Sequence, residues 1–378
     1  NVSMSESGDI WNFFRTSVIA LLDADPIDVA TTDAKISILR HALGYEDRLL
    51  LLGDQTQFLA YGDPIIAPST IAISPMTSYE SSKTCPPVKQ GGSVFFPFTR
   101  GGFSGVREWF SQDANNLSFG SNDVTAHIPA YIEGNITALS AAAHENILLA
   151  LSDTKRDTVY VFNYFGTASS KDQFAWSKYT LDTGTIIHDV NFIGETAYFV
   201  IERPAVGAVG KTLHIEKINF QPNRVDTGSS YLTRLDRRLD RSECVSATYN
   251  ATTNTTAIVL PYHTQTGSAM RVTSKSTGET LVATFTAGST TITVAGDWSS
   301  ASADATRRTF WVGEEYEMQY NFSKPLFRTA TPTGGRAVAV QGRHQLRYGS
   351  VVFSNSGGFD IKVTHADGTE YTHQYTGK

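Results

Sequence analysis

Apolar and polar residues alternate along most of this chain, and helical spacing is rare. Runs of β-branched and aromatic residues, bounded by Gly, Asn, Asp and Pro, recur from end to end. They predict strands over 48–52, 57–61, 93–98, 147–151, 158–165, 175–181, 196–202 and 213–220. The C-terminal part continues with 257–260, 280–285, 290–294, 316–322, 350–353, 359–364 and 371–375. Asp367-Gly368, between the last two runs, is a two-residue hairpin signal. One helix is predicted at 231–240, where Leu232, Leu235 and Leu239 recur at spacings of three and four. Residues 11–22 fit a short helix, or a strand within 17–22.

The strands group. Residues 135–181 hold four strand-like runs and 185–220 hold three more. A unit of about 40–50 residues with four antiparallel strands has the size of a propeller blade. Residues 48–110 have the same texture. After Asn223 the aliphatics thin and Thr and Ser crowd together, which places a boundary near 223–243. Alternation such as Thr291-Ile292-Thr293-Val294 suits a polar two-sided sheet. The fold class expected is mainly β: a β-propeller-like region followed by an antiparallel β-rich tube domain. The segments are 1–47 as a leading segment packed on the propeller, 48–222 as propeller, 223–242 as helical connector and 243–378 as the β-rich domain.

Composition narrows the function classes. The 378 residues carry 31 Lys+Arg against 37 Asp+Glu, a net charge of −6, and only 18% are charged. There are 35 Ser and 44 Thr. The apolar content is too high for a disordered chain. No apolar run reaches the ~18 residues needed to span a membrane. Residues 17–22 are followed by Asp23, Asp25 and Asp28 and lack a basic flank, so neither a signal peptide nor an anchor is expected there. The chain opens on Asn1 rather than Met, which leaves room for a segment upstream. Cys85 and Cys244 cannot build a disulfide framework. The acidity opposes a wrapping nucleic-acid binder, which needs a basic patch to displace counterions. It does not oppose a conduit that nucleic acid slides through.

Motifs that resemble chemical sites each carry a structural reading. Ala205 to Thr212 fits a relaxed phosphate loop, with Ala where the first Gly usually sits, but the following 213–220 alternates with period two, as a strand does. His365, Asp367, Glu370 and His373 have metal-ligand character but flank a hairpin turn. Asp23, Asp25 and Asp28 lack the Gly and distal Glu of a calcium loop. Ser104 is one residue out of register for a nucleophile elbow. Six Asn-x-Ser/Thr sequons, at Asn1, Asn116, Asn135, Asn250, Asn254 and Asn321, favour a secreted glycosylated protein only weakly. Arg307-Arg308 and the set Arg336, Arg343 and Arg347 are candidates for phosphate contact or carboxylate pairing. Trp176 reads as a structural core residue on a strand, alternating inward with Phe174 and Lys178.

A collinear set of short motifs completes the reading. It runs Asp25-Pro26-Ile27-Asp28-Val29, Ile38-Leu39-Arg40-His41-Ala42 and Leu49-Leu50-Leu51-Leu52-Gly53-Asp54-Gln55-Thr56-Gln57-Phe58. Gly92-Ser93-Val94-Phe95-Phe96, Val124-Thr125-Ala126-His127-Ile128-Pro129-Ala130-Tyr131-Ile132 and Trp176-Ser177 follow. The last are Tyr320-Asn321-Phe322-Ser323-Lys324, Gly342-Arg343-His344-Gln345-Leu346-Arg347 and Ser356-Gly357-Gly358-Phe359-Asp360-Ile361. In this order they resemble the tail tubular protein B family, the nozzle proteins of podovirus-type short-tailed phages. Members of that family are usually longer.

The resemblance implies a propeller followed by a tube domain, with six copies around the tail axis. It implies docking beneath an adaptor ring of tail tubular protein A, with tail fibres near that junction. It further implies a channel that conducts double-stranded DNA and retains the genome before adsorption. Six copies at −6 each carry −36, a repulsive lining. No catalytic, cofactor or metal residue is assigned. Two stretches of the Thr-rich region, 267–275 and 286–290, are expected to be loops at the distal rim or gate, with Arg271, Lys275, Thr286 and Ser289 as pore or rim candidates. The competing reading is a carbohydrate-active or glycan-binding propeller, which needs two carboxylates about 5–10 Å apart in a pocket.

Overall fold

The computed structural model describes all residues except 16–18, 32–35, 114–117, 143–144, 167–170, 221–225, 227, 231, 321–327, 331–334, 339–347, 353–358, 366 and 376–378. About 52% of the chain is strand, with almost no helix. It divides into two compact units: Asn1–Ala205 with Gly210–Pro222, and Val206–Val209 with Asn223–Lys378.

The first unit begins with a short pair, β1 (Val2–Met4) and β2 (Ile27–Val29). The described residues between them take neither helix nor strand, and Trp11, Phe14 and Ile19 are exposed. Four antiparallel sheets follow, built from strands consecutive in the chain. The first holds β3 (Leu39–Tyr45), β4 (Arg48–Gly53), β5 (Gln57–Tyr61) and β6 (Ala72–Thr77). The second holds β7 (Val88–Gln90), β8 (Ser93–Arg100), β9 (Phe103–Asp113) and β10 (Ser118–Asp123), with β11 (Ile132–Glu133) paired to β9. The third holds β12 (Ile136–Ala141), β13 (Ile147–Ser152), β14 (Thr158–Gly166) and β15 (Lys171–Thr180). The fourth holds β16 (Ile186–Ile193), β17 (Thr196–Arg203) and β18 (Thr212–Asn219).

The two-residue period of a strand explains how these sheets stack. On β4, Leu50 and Leu52 point into one core while Leu51 points into another. On β8, Val94 and Phe96 join Leu50 and Leu52, and Phe95 faces the next core with Leu148, Ala150, Tyr160 and Phe162. On β13, Ile147, Leu149 and Leu151 turn the other way, onto Ile187, Val190, Phe199 and Ile201 of the fourth sheet. Neighbouring sheets thus share a core, and strands such as β4, β8 and β13 are covered on both faces. That is why Leu49-Leu50-Leu51-Leu52 and Ile147-Leu148-Leu149-Ala150-Leu151 read as unbroken apolar runs.

The second unit is built on a seven-stranded antiparallel sheet. Its strands are β19 (Asp236–Asp240), β20 (Ser246–Asn250), β21 (Thr255–Val259), β22 (Met270–Ser274), β23 (Thr280–Phe285), β24 (Thr291–Ala295) and β25 (Phe310–Glu314). Their order across the sheet is β19-β25-β22-β23-β24-β21-β20. Its core holds Ile258, Met270, Val272, Ile292, Val294, Trp298, Phe310 and Val312. Two hairpins follow, β26 (Arg328–Ala330) with β27 (Arg336–Val338), and β28 (Phe359–Thr364) with β29 (Glu370–Tyr375).

Three expectations change. The helix at 231–240 is absent over its described residues: β19 occupies Asp236–Asp240, followed by a single 3-10 turn, Arg241–Glu243, capped by Asp240. Pairing with β25 wins over the leucine spacing, and a register shift between Asp236 and Leu239 accommodates Arg237 at φ 48°. The stretch 267–275 is not a loop, because Met270–Ser274 is β22, an interior strand hydrogen-bonded to both β23 and β25. The Asp367-Gly368 hairpin is longer than two residues. The ladder ends at Thr364↔Glu370, His365 N–H donates to Thr369 O, and Gly368 takes φ 87°. In addition, the strand predicted at 316–322 is coil over its described residues, as is the described part of 350–353.

Candidate functional site

The pore and rim candidates all lie in the second unit, and the structure gives each a partner. Arg271 stands on β22 with Nε 2.8 Å from Glu315 Oε2. Lys275, just past the end of β22, is buried; its Nζ ion-pairs with Asp240 and lies 3.9 Å from the centre of the Trp311 ring. The Arg238 guanidinium lies 4.1 Å from the same ring and pairs with Asp226 at 2.7 Å. Desolvation pulls the Lys275 ammonium below the ordinary lysine range, with Asp226 opposing that shift. Thr286 and Ser289 form the turn between β23 and β24. Ser289 N–H donates to Thr286 O at 2.9 Å, and Ser289 Oγ donates to Thr291 O at 3.1 Å. Lys275 opens the turn between β22 and β23, so of the four only Arg271 stands within a strand.

Sequence reasoning missed a deeply buried charge pair of this unit. Arg237 Nη1 is 3.0 Å from Glu314 Oε1, their side chains 4% and 6% exposed, and the guanidinium lies 3.7 Å from the centre of the Tyr262 ring. The two residues are 77 positions apart, so no local pattern announces them. Arg307 pairs with Glu279 at 2.5 Å, and Arg308 Nε donates to Ser302 O at 2.8 Å. Carboxylates or carbonyls thus engage these cations. Arg343 and Arg347 lie outside the described residues, as does the side chain of Arg336.

In the first unit, Trp176 is half-buried on β15. It stacks on Phe162 with ring centres 4.9 Å apart, and its Nε1 donates to Val124 O at 3.0 Å. Phe174, expected to point inward with it, is exposed. Ser104 Oγ donates to Gly134 O and accepts from Ile136 N–H, which ties it to backbone. Val206 and Val209 bridge each other at 3.0 Å in the loop between β17 and β18, and β18 is a strand, so no helix N-terminus faces that loop. Asp25 Oδ2 accepts from Leu22 N–H. Among the described residues no group of three or more His, Cys, Asp or Glu could hold a metal ion. Both cysteines are free, and burial pushes the Cys85 thiol up to about 12 and the Cys244 thiol to about 11. No helix among the described residues is long and apolar enough to cross a membrane.

This geometry defines a mainly antiparallel β protein whose singled-out side chains serve packing and charge pairing. The chain belongs to the bacteriophage nozzle protein family, whose profile matches residues 1–378. Its place is therefore the virion tail, as a structural protein. It is 25% identical over 368 residues to tail tubular protein gp12 of Escherichia phage T7. That match covers 96% of this chain and 45% of the T7 protein, so the chain spans less than half the length of that relative. Among solved structures, Hsv2p of Kluyveromyces lactis aligns at TM-score 0.33 and 11% identity, over 67% of this chain and 70% of that one. Nup170 of Chaetomium thermophilum, solved as an N-terminal domain complex with Nup53, aligns at 0.31 and 11%, over 69% and 43%. Likeness at that level carries no argument about fold or function.

Proposed function

We propose that this chain forms part of the wall of a short phage tail's nozzle, a ring through which double-stranded DNA leaves the particle. The observation that carries the reading is the family match over residues 1–378. In this reading residues 48–222 form a propeller region, with 1–47 packed on it. Residues 243–378 form the tube wall, joined through 223–242, and turns such as Thr286–Ser289 stand at its rim. Six copies surround the axis, dock beneath an adaptor ring near the tail fibres, and hold the genome until adsorption.

Two features support it. A conduit must not grip phosphates, since every free cation on its wall would release counterions and bind. Arg237, Arg238, Arg271, Lys275 and Arg307 are each paired with a carboxylate. Apolar side chains such as Trp11 (84% exposed), Phe14 (83%) and Ile19 (99%) are of the kind that assembly covers.

The test is electron microscopy of the purified protein with and without its adaptor. Sixfold rings with an axial pore are expected. A monomer at high concentration, with no ring when the adaptor is present, would overturn the proposal.

A further inference from the structure

Two apolar patches of the first unit stand in water, and they differ in kind. The first is the run from Ile10 to Phe14 in the leading segment. Its backbone is held in shape. Trp11 N–H donates to Asp9 Oδ1 at 3.0 Å, Phe14 N–H donates to Asn12 Oδ1 at 2.9 Å, and Glu6 N–H donates to Asn12 O at 2.8 Å. On that fixed backbone Ile10, Trp11, Phe13 and Phe14 are all exposed.

The second patch is the outer face of the fourth sheet. Phe199 and Ile201 on β17 point into the core shared with the third sheet, so Val200 between them points the other way. Val200 is paired with Ile215 on β18, and Leu213 lies two residues along on the same face. Leu213 is 66% exposed and Ile215 77%. The first sheet shows what can cover such a face, because Val2 of the leading segment packs on its Leu51, Phe58 and Ala60.

The charges around the two patches match. Asp9 and Arg15 bracket the run Ile10–Phe14. Lys217 and Glu202 bracket the apolar row on β18: Lys217 follows Ile215 by two residues, and Glu202 is paired opposite Leu213. Glu202 also holds Lys211 at 2.6 Å and His188 Nε2 at 3.1 Å, and Asp189, opposite Val200, adds a further acid to this face. Both patches are exposed in the single chain, so they do not cover each other within one copy. A closed ring of more than two copies needs two such different patches, one on each side of every contact.

We infer that Ile10–Phe14 of one copy seats on the outer face of the fourth sheet of the next copy. Asp9 then faces Lys217, and Arg15 faces Glu202 and Asp189. Trp11 is the anchor, since a few buried aromatic side chains carry most of an interface's energy. The inference rests on the ring proposed above and names the surfaces that build it.

The test is cross-linking between copies of the full chain. Ile10→Cys and Ile215→Cys are prepared separately, mixed, assembled with the adaptor and treated with a short bis-maleimide. A linked dimer is expected from the mixture and from neither variant alone. A chain carrying both cysteines is expected to give a ladder of linked copies. The unsubstituted chain, with Cys85 and Cys244, sets the background. Ile215→Asp is expected to keep its circular dichroism spectrum and to lose ring formation, because the residue is exposed in the single copy. Lys217→Glu is expected to lower the ring yield, and Asp9→Lys in the same chain to restore it. Rings that form without the linked dimer overturn the inference and leave the proposed nozzle standing. So do rings formed as readily by Ile215→Asp, a dimer from Ile215→Cys alone, or a link confined to one chain. Absence of rings from the unsubstituted chain with its adaptor overturns the nozzle and the inference together.

Discussion

Replacing Glu314 by Leu removes one half of the Arg237–Glu314 pair and leaves a buried guanidinium without its carboxylate. The charges are 3.0 Å apart. At an effective dielectric of ~20, Coulomb's law gives about 5.5 kcal/mol of attraction at that distance. Much of this is offset by the cost of taking both groups out of water, so the pair itself contributes little net. Losing one partner is different, because the remaining charge stays desolvated, and the expected loss is about 3–5 kcal/mol. Arg237 also sits at φ 48°, a left-handed conformation that the pair and the Tyr262 ring help to hold. The double variant Arg237→Met with Glu314→Leu removes the stranded charge and is expected to recover most of the loss. Urea unfolding followed by tryptophan fluorescence reads this directly, since Trp298 and Trp311 are both buried in the same unit. A single-variant loss below about 1 kcal/mol would refute the reasoning, because it would place the pair among solvent-screened surface bridges. A double variant as unstable as the sum of the singles would refute it too.

Three further outcomes follow from the geometry. Leu149→Ala, in the core shared by the third and fourth sheets, is expected to cost about 2–5 kcal/mol in urea unfolding, while Leu213→Ala on exposed β18 stays within about 0.5 kcal/mol. Cys85 and Cys244, their thiols held up at about 12 and about 11, are expected to react slowly with iodoacetamide at pH 8 and rapidly in urea, with Cys85 the slower in the folded state. Asp153 is held below the ordinary carboxylate range, chiefly by the Asn135 side-chain amide and then by its backbone N–H. A lowered carboxylate adds stability above its unfolded pKa and loses it as pH falls through the folded value. The gap between wild type and Asp153→Ala in thermal melts should therefore narrow as pH falls below the ordinary carboxylate range.

How much was legible depends on how local the signal was. Most runs such as 280–285 and 359–364 are strands at their predicted positions, because β-branched alternation is read within a few residues. The grouping of 135–181 into four strands is seen in β12 to β15. The stacking of the sheets was also latent in the period-two split of strands such as β13. The failures share a cause. Leu232, Leu235 and Leu239 have helical spacing, yet pairing with β25, some 70 residues later, decides that segment. Lys275 lies in a turn, but its partners Asp240 and Trp311 come from distant strands and leave no local trace.

The central claim is that this chain lines the axial channel of the tail. The most direct measurement is an electron cryomicroscopy map of the intact virion tail before ejection. The account predicts six copies around the axis, with the Asn223–Lys378 unit facing a lumen that holds DNA density or stops it at a constriction. A map placing the chain off the axis, with no copy facing the lumen, would contradict it.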